Sequence, residues 1–188
     1  DLMSASGHKF GTPKGIGFLY ARKGVNLTPI ISGGQQERGL RAGTENVPYM
    51  LGLGKAVEIA MRDMEENCNK EKRLKYKLWI ALQDKCELVK INGHPIVSAP
   101  NIINFSFANY GIRGERMLAF LDQNGICASS GSACNSHSAE PSHVLKAIGL
   151  SDDEAECSIR FSFNEDNTDE DINKIVSVIE QGIEVLRQ

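Results

Sequence analysis

The stretch Met50-Leu51-Gly52-Leu53-Gly54-Lys55-Ala56-Val57-Glu58-Ile59-Ala60-Met61-Arg62-Asp63-Met64 sets the organisation of this chain. Met50, Leu51, Leu53, Ala56, Val57, Ile59, Ala60 and Met64 fall on one face at helical spacing, and Pro48 is tolerated in a first turn. Residues 65–77 are densely charged but hold no breaker, and Leu74, Leu78, Ile80, Ala81 and Leu82 then resume an apolar face. The spacing predicts one long or kinked helix to about Asp84. Such a helix bridges two compact regions, so the expected domains are residues 1–64 and 65–188.

On the N-terminal side, residues 2–5 read as a short strand running into polar Ser6-Gly7-His8-Lys9. Gly11-Thr12-Pro13-Lys14-Gly15 is a turn by its Gly and Pro content, and residues 16–22 read as a second strand. Residues 32–44 are rich in glycine and charge, with almost nothing apolar, and must be a loop. Its Glu37, Arg38 and Arg41 set it apart from a flexible Gly/Ser linker.

On the C-terminal side strands and helices alternate. Residues 87–91, 101–107, 126–129 and 158–163 read as strands, and 113–123 and 142–148 as helices, the latter stopped by Gly149. Residues 131–141 form a loop of small residues. Thr168 opens the last helix with Asp169, Glu170 and Asp171 against its dipole; Ile172, Ile175, Val176, Ile179, Ile183 and Leu186 form its buried face. This half is α+β.

The composition is that of an ordinary globule: 188 residues, 41% hydrophobic, 24% charged. A net charge of −3 argues against an electrostatic nucleic-acid binder. No window approaches about 18 uncharged apolar residues, so no membrane span is expected, and the first ten residues lack signal-peptide character. Cys68, Cys86, Cys127, Cys134 and Cys157 are odd in number and without Cys-x-x-Cys spacing. That pattern points to a reducing compartment, by default the cytoplasm.

Three places could carry chemistry. A partly desolvated lysine suits a Schiff base with a carbonyl cofactor, and Lys9 has Ser6 and His8 beside it as phosphate donors. A surface lysine after a strand fits the same letters. Cys134, amid Ser129-Ser130-Gly131-Ser132-Ala133, has no bulky neighbour to bury it and could travel to a substrate on a flexible loop and hand on a cargo, or be an ordinary loop cysteine. Cys68, Cys86, Cys127 and Cys157 read as packing residues. Arg160, alternating with apolar residues in Ser158-Ile159-Arg160-Phe161-Ser162, could grip a carboxylate in bidentate fashion or face water from an edge strand. Cys134, His137 and His143 fit no usual zinc spacing, so no metal is expected. His94, in Asn92-Gly93-His94-Pro95, reads as a turn residue.

The order of these segments resembles a known family. Ser4-x-Ser6-Gly7-His8-Lys9 followed by Pro13-Lys14-Gly15-Ile16-Gly17 is similar to the cofactor-lysine segment of class V, fold-type I pyridoxal-phosphate enzymes. The run Gly33-Gly34-Gln35-Gln36-Glu37-Arg38-Gly39-Leu40-Arg41-Ala42-Gly43-Thr44 resembles the glycine-rich loop of cysteine desulfurases. Ser129 to Cys134, with Glu140-Pro141-Ser142-His143-Val144-Leu145, resembles the long active-cysteine loop of group I desulfurases, which serve iron–sulfur cluster assembly and nitrogen fixation.

The resemblance implies an α/β and α+β fold: the tail of a large fold-type I pyridoxal-phosphate domain, joined by a long helix to a small α+β C-terminal domain. It implies pyridoxal 5'-phosphate held covalently by Lys9, with Ser6, Gly7 and His8 around its phosphate. Thr44 would reach the cofactor of a neighbouring subunit, hence a homodimer. Arg160 would hold the carboxylate of L-cysteine, and Cys134 would take its sulfur as a persulfide, leaving L-alanine. The sulfur would pass to an acceptor protein such as an iron–sulfur scaffold. A selenocysteine lyase, a class V aminotransferase and a non-catalytic docking module for sulfur acceptors are the competing readings.

There are departures. Phe10-Gly11-Thr12-Pro13 alters the turn after the lysine. Family members also carry about an equal length before this point. That part holds the acidic partner of the pyridine nitrogen, and a parallel sheet in which residues 2–5 would be one strand. The chain therefore resembles a C-terminal half, and alone it is expected not to run the reaction.

Overall fold

The structure, a computed structural model, describes residues 1–130 and 141–187. The chain divides into two units, Asp1–Met64 and Glu65–Gln188.

In the first unit, β1 (Leu2–Ser6) and β2 (Gly17–Ala21) pair antiparallel, Ser6 opposite Gly17. Residues 7–16 fold the chain back between the two strands expected here. Helix α1 (Val47–Lys85) begins here, 39 residues without interruption. The apolar face expected for residues 50–64 exists as a pattern but is mostly not buried: Met50, Leu51, Val57, Ile59 and Met64 are exposed, Leu53 is half-buried and Ala56 is buried. Leu2, Met3, Phe18, Leu19 and Tyr20 of the hairpin are exposed as well. Sheet faces and helix stripes need a second layer to bury them, and this unit has none of its own.

The second unit has a full core. Its sheet runs β3 (Lys90–Ile91), β4 (Ile102–Ser106), β5 (Ser158–Ser162), antiparallel throughout. Alternation sends Ile103, Phe105, Ile159 and Phe161 to the apolar face. Against it lie Leu74, Leu78 and Leu82 of α1, Met117 and Leu121 of α2 (Gly114–Gln123), and Ile172 and Ile179 of α5 (Asp169–Leu186). Each such buried side chain contributes roughly 1.5–3 kcal/mol relative to exposure. Helices α2 and α5 approach at Gly182, where a Cβ would meet Phe120 at 3.0 Å and the Met117 sulfur at 3.1 Å. Thr168 caps α5 as expected, accepting from the Asp171 N–H while Asp171 accepts from the Thr168 N–H.

Other elements differ in detail. Ile80 is exposed although its neighbours are core. The strand expected over 87–91 shrinks to β3, because Val89 closes the end of α1 by donating to the Cys86 carbonyl. Residues 126–129 form no strand; only Ser129 makes a β-bridge, while Ile126 donates back to Leu121. Helix α3 (His143–Ala147) stops at Gly149, whose φ of 96° lets its N–H reach the Lys146 carbonyl while Leu150 reaches Leu145. Helix α4 (Asp152–Glu156) was not expected, yet Ser151 and Glu154 form a reciprocal capping box, a Ser-x-x-Glu signal present in the sequence. Among the described residues, no helix is long and apolar enough to cross a membrane.

Candidate active site

Lys9 follows the strand as expected and sits in a 3-10 turn, Gly7–Phe10, directly after β1. The turn is pinned through Gly7. Its N–H donates to the Ile16 carbonyl at 2.9 Å, and its own carbonyl accepts from Thr12 at 3.2 Å. Gly11, at φ 99°, closes the turn. Gly7 is buried, and a Cβ there would lie 2.3 Å from the Thr12 Oγ1, so no larger residue fits without a shift. The N–H of Gly7 is therefore committed within the protein, and only glycine lets the chain pass this closely here.

Ser6, His8 and Lys9 are exposed, and among the described residues no hydrogen bond or ion pair engages their side chains. An amine, a hydroxyl and an imidazole left unengaged on one tight turn are a donor set suited to a phosphorylated aldehyde such as pyridoxal phosphate. The amine suits the aldehyde, and the other two suit phosphate oxygens.

The glycine-rich stretch after β2 is a structured loop. Gln36 accepts through Oε1 from the Gly43 N–H at 3.1 Å, and Gly39 donates to the carbonyls of Gln35 and Gln36. Glu37 and Arg38 both occupy the left-handed region, at φ 49° and 59°. Non-glycine residues there are strained by about 1–3 kcal/mol and cluster at functional sites. Thr44, at the end of this loop, is exposed.

Arg160 is set by the sheet. Alternation in β5 places it opposite Asn104, on the face away from Ile159 and Phe161. On its other side Ser129 bridges to it, so β5 is not a bare edge. Gly114 permits this crowding: a Cβ would lie 2.8 Å from the carbonyls of both Glu156 and Ser158 and 3.4 Å from the Ser130 Cβ. The Arg160 Nε is buried and has no hydrogen-bond partner among the described residues. A buried unpaired donor costs about 1–3 kcal/mol, more on a charged group. A carboxylate bound through Nε and a terminal nitrogen would remove that cost. Sequence reasoning found Arg160 but not which strand Ser129, at the end of an expected strand, would pair with, nor the close approach at Gly114, which looks like an ordinary helix-start residue.

The thiols divide by burial. Cys86 and Cys157 are buried, and burial pushes the first up to about 11 and the second in the same direction. Cys68 is half-buried. Cys127 overturns its expectation of packing: it is exposed, although Ile126 before it is core and Ala128 after it packs against the core. Cys134, and the loop expected over 131–141 except for its last residue, lie outside the described residues. Lys9, Ser6, Gly7 and His8 share one turn of the first unit, Thr44 lies in that unit's glycine loop, and Arg160 belongs to the second unit.

A lysine turn after a strand, a strained glycine loop, a long helix and an α+β unit with an unsatisfied strand arginine define a class. The chain belongs to the class-V aminotransferase family, described as Aminotransferase class-V, whose profile matches residues 1–175. Among its relatives, a protein named cysteine desulfurase from Trichormus azollae is 46% identical over 187 residues, covering 100% of this chain and 46% of that protein. A protein named cysteine desulfurase IscS from Clostridium botulinum (strain Hall) is 46% identical over 190 residues, covering 100% of this chain and 47% of that protein. A solved structure named NifS-like protein superposes with a TM-score of 0.86 at 36% identity, covering 99% of this chain and 47% of that one. The fold is thus that of the NifS-like, fold-type I enzymes. The chain spans about half the length of the curated relatives it matches.

Proposed function

We propose that a protein carrying this chain is a pyridoxal-phosphate-dependent cysteine desulfurase. The observation that carries the reading is Arg160: a buried, unpaired guanidinium nitrogen on a strand bridged to Ser129, five residues before Cys134. Five extended residues reach at most about 18 Å, so the thiol is tethered to the strand of the carboxylate-binding arginine. The names of the relatives support the same activity.

In this reading Arg160 fixes the carboxylate of L-cysteine in bidentate fashion. Lys9 holds the cofactor through its amine, with Ser6 and His8 at the phosphate and Gly7 allowing close approach. Once free, the Lys9 amine moves the proton at the substrate Cα. Pyridoxal phosphate, when bound, supplies the electron sink for that carbon. Cys134, as thiolate, attacks the substrate sulfur. The carbon–sulfur bond breaks, a sulfur–sulfur bond forms, and protonation of the carbon skeleton gives L-alanine. The carbon gains the electron pair that the sulfur gives up, so no outside oxidant or reductant is needed. The Cys134 persulfide then passes its sulfur to an acceptor protein, of which an iron–sulfur scaffold is one kind. Thr44 serves the cofactor of the second copy in a homodimer.

The test is Cys134→Ala in a protein of the relatives' full length. Loss of sulfide release, and loss from the Cys134 peptide of the added mass of one sulfur atom, is the expected result. Sulfide release that survives the change would overturn the proposal in favour of a lyase that breaks the carbon–sulfur bond without the loop thiol. The 188-residue chain by itself, given cofactor and L-cysteine, is expected to show no catalytic sulfide. Its hairpin and the first turns of α1 lack the covering layer that a fixed cofactor site requires.

A further inference from the structure

Lys75 is only 5% exposed, yet among the described residues no carboxylate pairs with it. Its Nζ donates to the Ser98 Oγ at 2.5 Å and to the Ala99 carbonyl at 2.9 Å, both neutral acceptors. None of the ion pairs among the described residues includes it. An ammonium has three protons, and these two bonds use two of them. Burial holds the lysine below its ordinary range, which is the cost of a cation without a counter-charge.

Lys75 lines a cavity of about 150 Å³ together with Asn92, His94, Ser98 and Asn104, and no Asp or Glu is in the lining. The side-chain groups left over are mostly donors. His94 accepts through Nδ1 from the N–H groups of Ile96 at 3.1 Å and Val97 at 2.9 Å, so its ring proton sits on Nε2. Asn104 accepts through Oδ1 from the Asn92 amide at 2.6 Å, which leaves its own amide protons. Asn92 spends its amide on Asn104 and on Ser158, leaving its Oδ1 as an acceptor. One water takes about 30 Å³, so the space admits an anion several atoms in size.

We propose that this cavity binds a small oxyanion, with the Lys75 ammonium as counter-charge and the His94 Nε2–H and Asn104 amide as donors. A hydrogen phosphate matches the set, because its own hydroxyl can donate to the Asn92 Oδ1. A short carboxylate shares the charge and the acceptors but lacks that hydroxyl. The turn over residues 94–99, held to Lys75 at Ser98 and Ala99, is the segment that an anion would stiffen.

The experiment is hydrogen–deuterium exchange, read by mass spectrometry, in sodium phosphate and separately in sodium acetate, each against sodium chloride of equal ionic strength. Phosphate is expected to slow exchange over residues 92–99 by at least threefold, saturably, with no such change in Lys75→Met. His94→Asn keeps an oxygen positioned to accept from Ile96 and Val97 but removes the Nε2 proton. It is expected to retain the unliganded exchange pattern and to weaken phosphate binding roughly tenfold, the effect of one hydrogen bond to a charged partner. Equal protection by acetate would assign a carboxylate as the oxyanion, and protection by phosphate alone a phosphate. Exchange indistinguishable from chloride in both arms, or protection unchanged in both variants, would overturn the proposal.

Discussion

Arg160 and Ser129 exchange both backbone hydrogen bonds, the Arg160 N–H to the Ser129 carbonyl at 2.7 Å and the Ser129 N–H to the Arg160 carbonyl at 3.1 Å. The pair closes the outer side of β5 and fixes where the chain leaves toward Cys134. A guanidinium held this way has its stem placed by the sheet, so its orientation costs little entropy when a carboxylate arrives.

Arg160→Lys should therefore be more than a conservative change. Lysine keeps the charge but loses the fork that lets two nitrogens meet one carboxylate. In a full-length protein, kcat/KM for L-cysteine is expected to fall at least tenfold, mainly through KM, with the melting midpoint little changed. Steady-state sulfide kinetics beside a thermal melt measure both. Unchanged KM would remove Arg160 from substrate binding.

Gly7→Ala tests the turn that presents Lys9. The new Cβ would meet the Thr12 Oγ1 at 2.3 Å and the Ile16 carbonyl at 3.1 Å. Overpacking of this kind costs about 1–3 kcal/mol. Adding Thr12→Ala removes the nearer clash, so the double variant should recover part of the loss. Exchange protection of the Gly7 amide, bonded to Ile16, reports it directly. Equal protection in the parent chain and Gly7→Ala would show that the turn is not held by close approach.

Thiol labelling should separate the cysteines by burial. At pH 8, Cys127 should react readily with an alkylating reagent, being exposed. Cys86, its thiol pushed up to about 11, and Cys157, raised by burial, should resist until the protein unfolds. Peptide mapping of the labelled protein distinguishes these outcomes, and rapid native labelling of Cys86 would contradict its place in the core.

Asp169 links the start of α5 to α1. Hydrogen bonds from Arg73 and then from Lys77 hold its carboxyl well below the usual range. A depressed folded-state pKa means the stabilisation is present above the unfolded carboxylate value, near 4, and is lost as pH falls toward the folded value. Asp169→Asn should therefore lower the urea midpoint at pH 7, with the difference from the parent chain shrinking steadily below about pH 4. The carboxylate is exposed and the effect is correspondingly small. A gap that stayed constant with pH would assign it to helix capping rather than charge.

Much of the fold can be read from the letters. Ile172, Ile175, Val176, Ile179 and Ile183 repeat at helical spacing and are buried, since a helix with one apolar stripe has one way to face a core. Gly149 ends α3 because its positive φ suits glycine. Where the reading fails, the missing information is a partner distant in sequence. Residues 126–129 have strand-like composition, but a strand needs a ladder, and only Ser129 finds one. Cys127 looked like a packing residue for the same reason and is exposed.

By itself, the sequence determined the order of elements, the long helix, the caps of α3 and α5, and the identities of Lys9, Arg160 and Cys134 as candidates. Those follow from local periodicity and residue chemistry, which act over a few positions. The tertiary structure decided that Gly7 spends its amide on Ile16 and that, among the described residues, Arg160 keeps a buried nitrogen unpaired and Lys75 is buried without a carboxylate. It also decided that the apolar stripe of α1 is buried at Leu74, Leu78 and Leu82 but exposed at Met50, Leu51 and Met64. Hydrophobic periodicity specifies which side of a helix is apolar; whether that side is covered depends on the layer packed against it, and no local pattern records that layer.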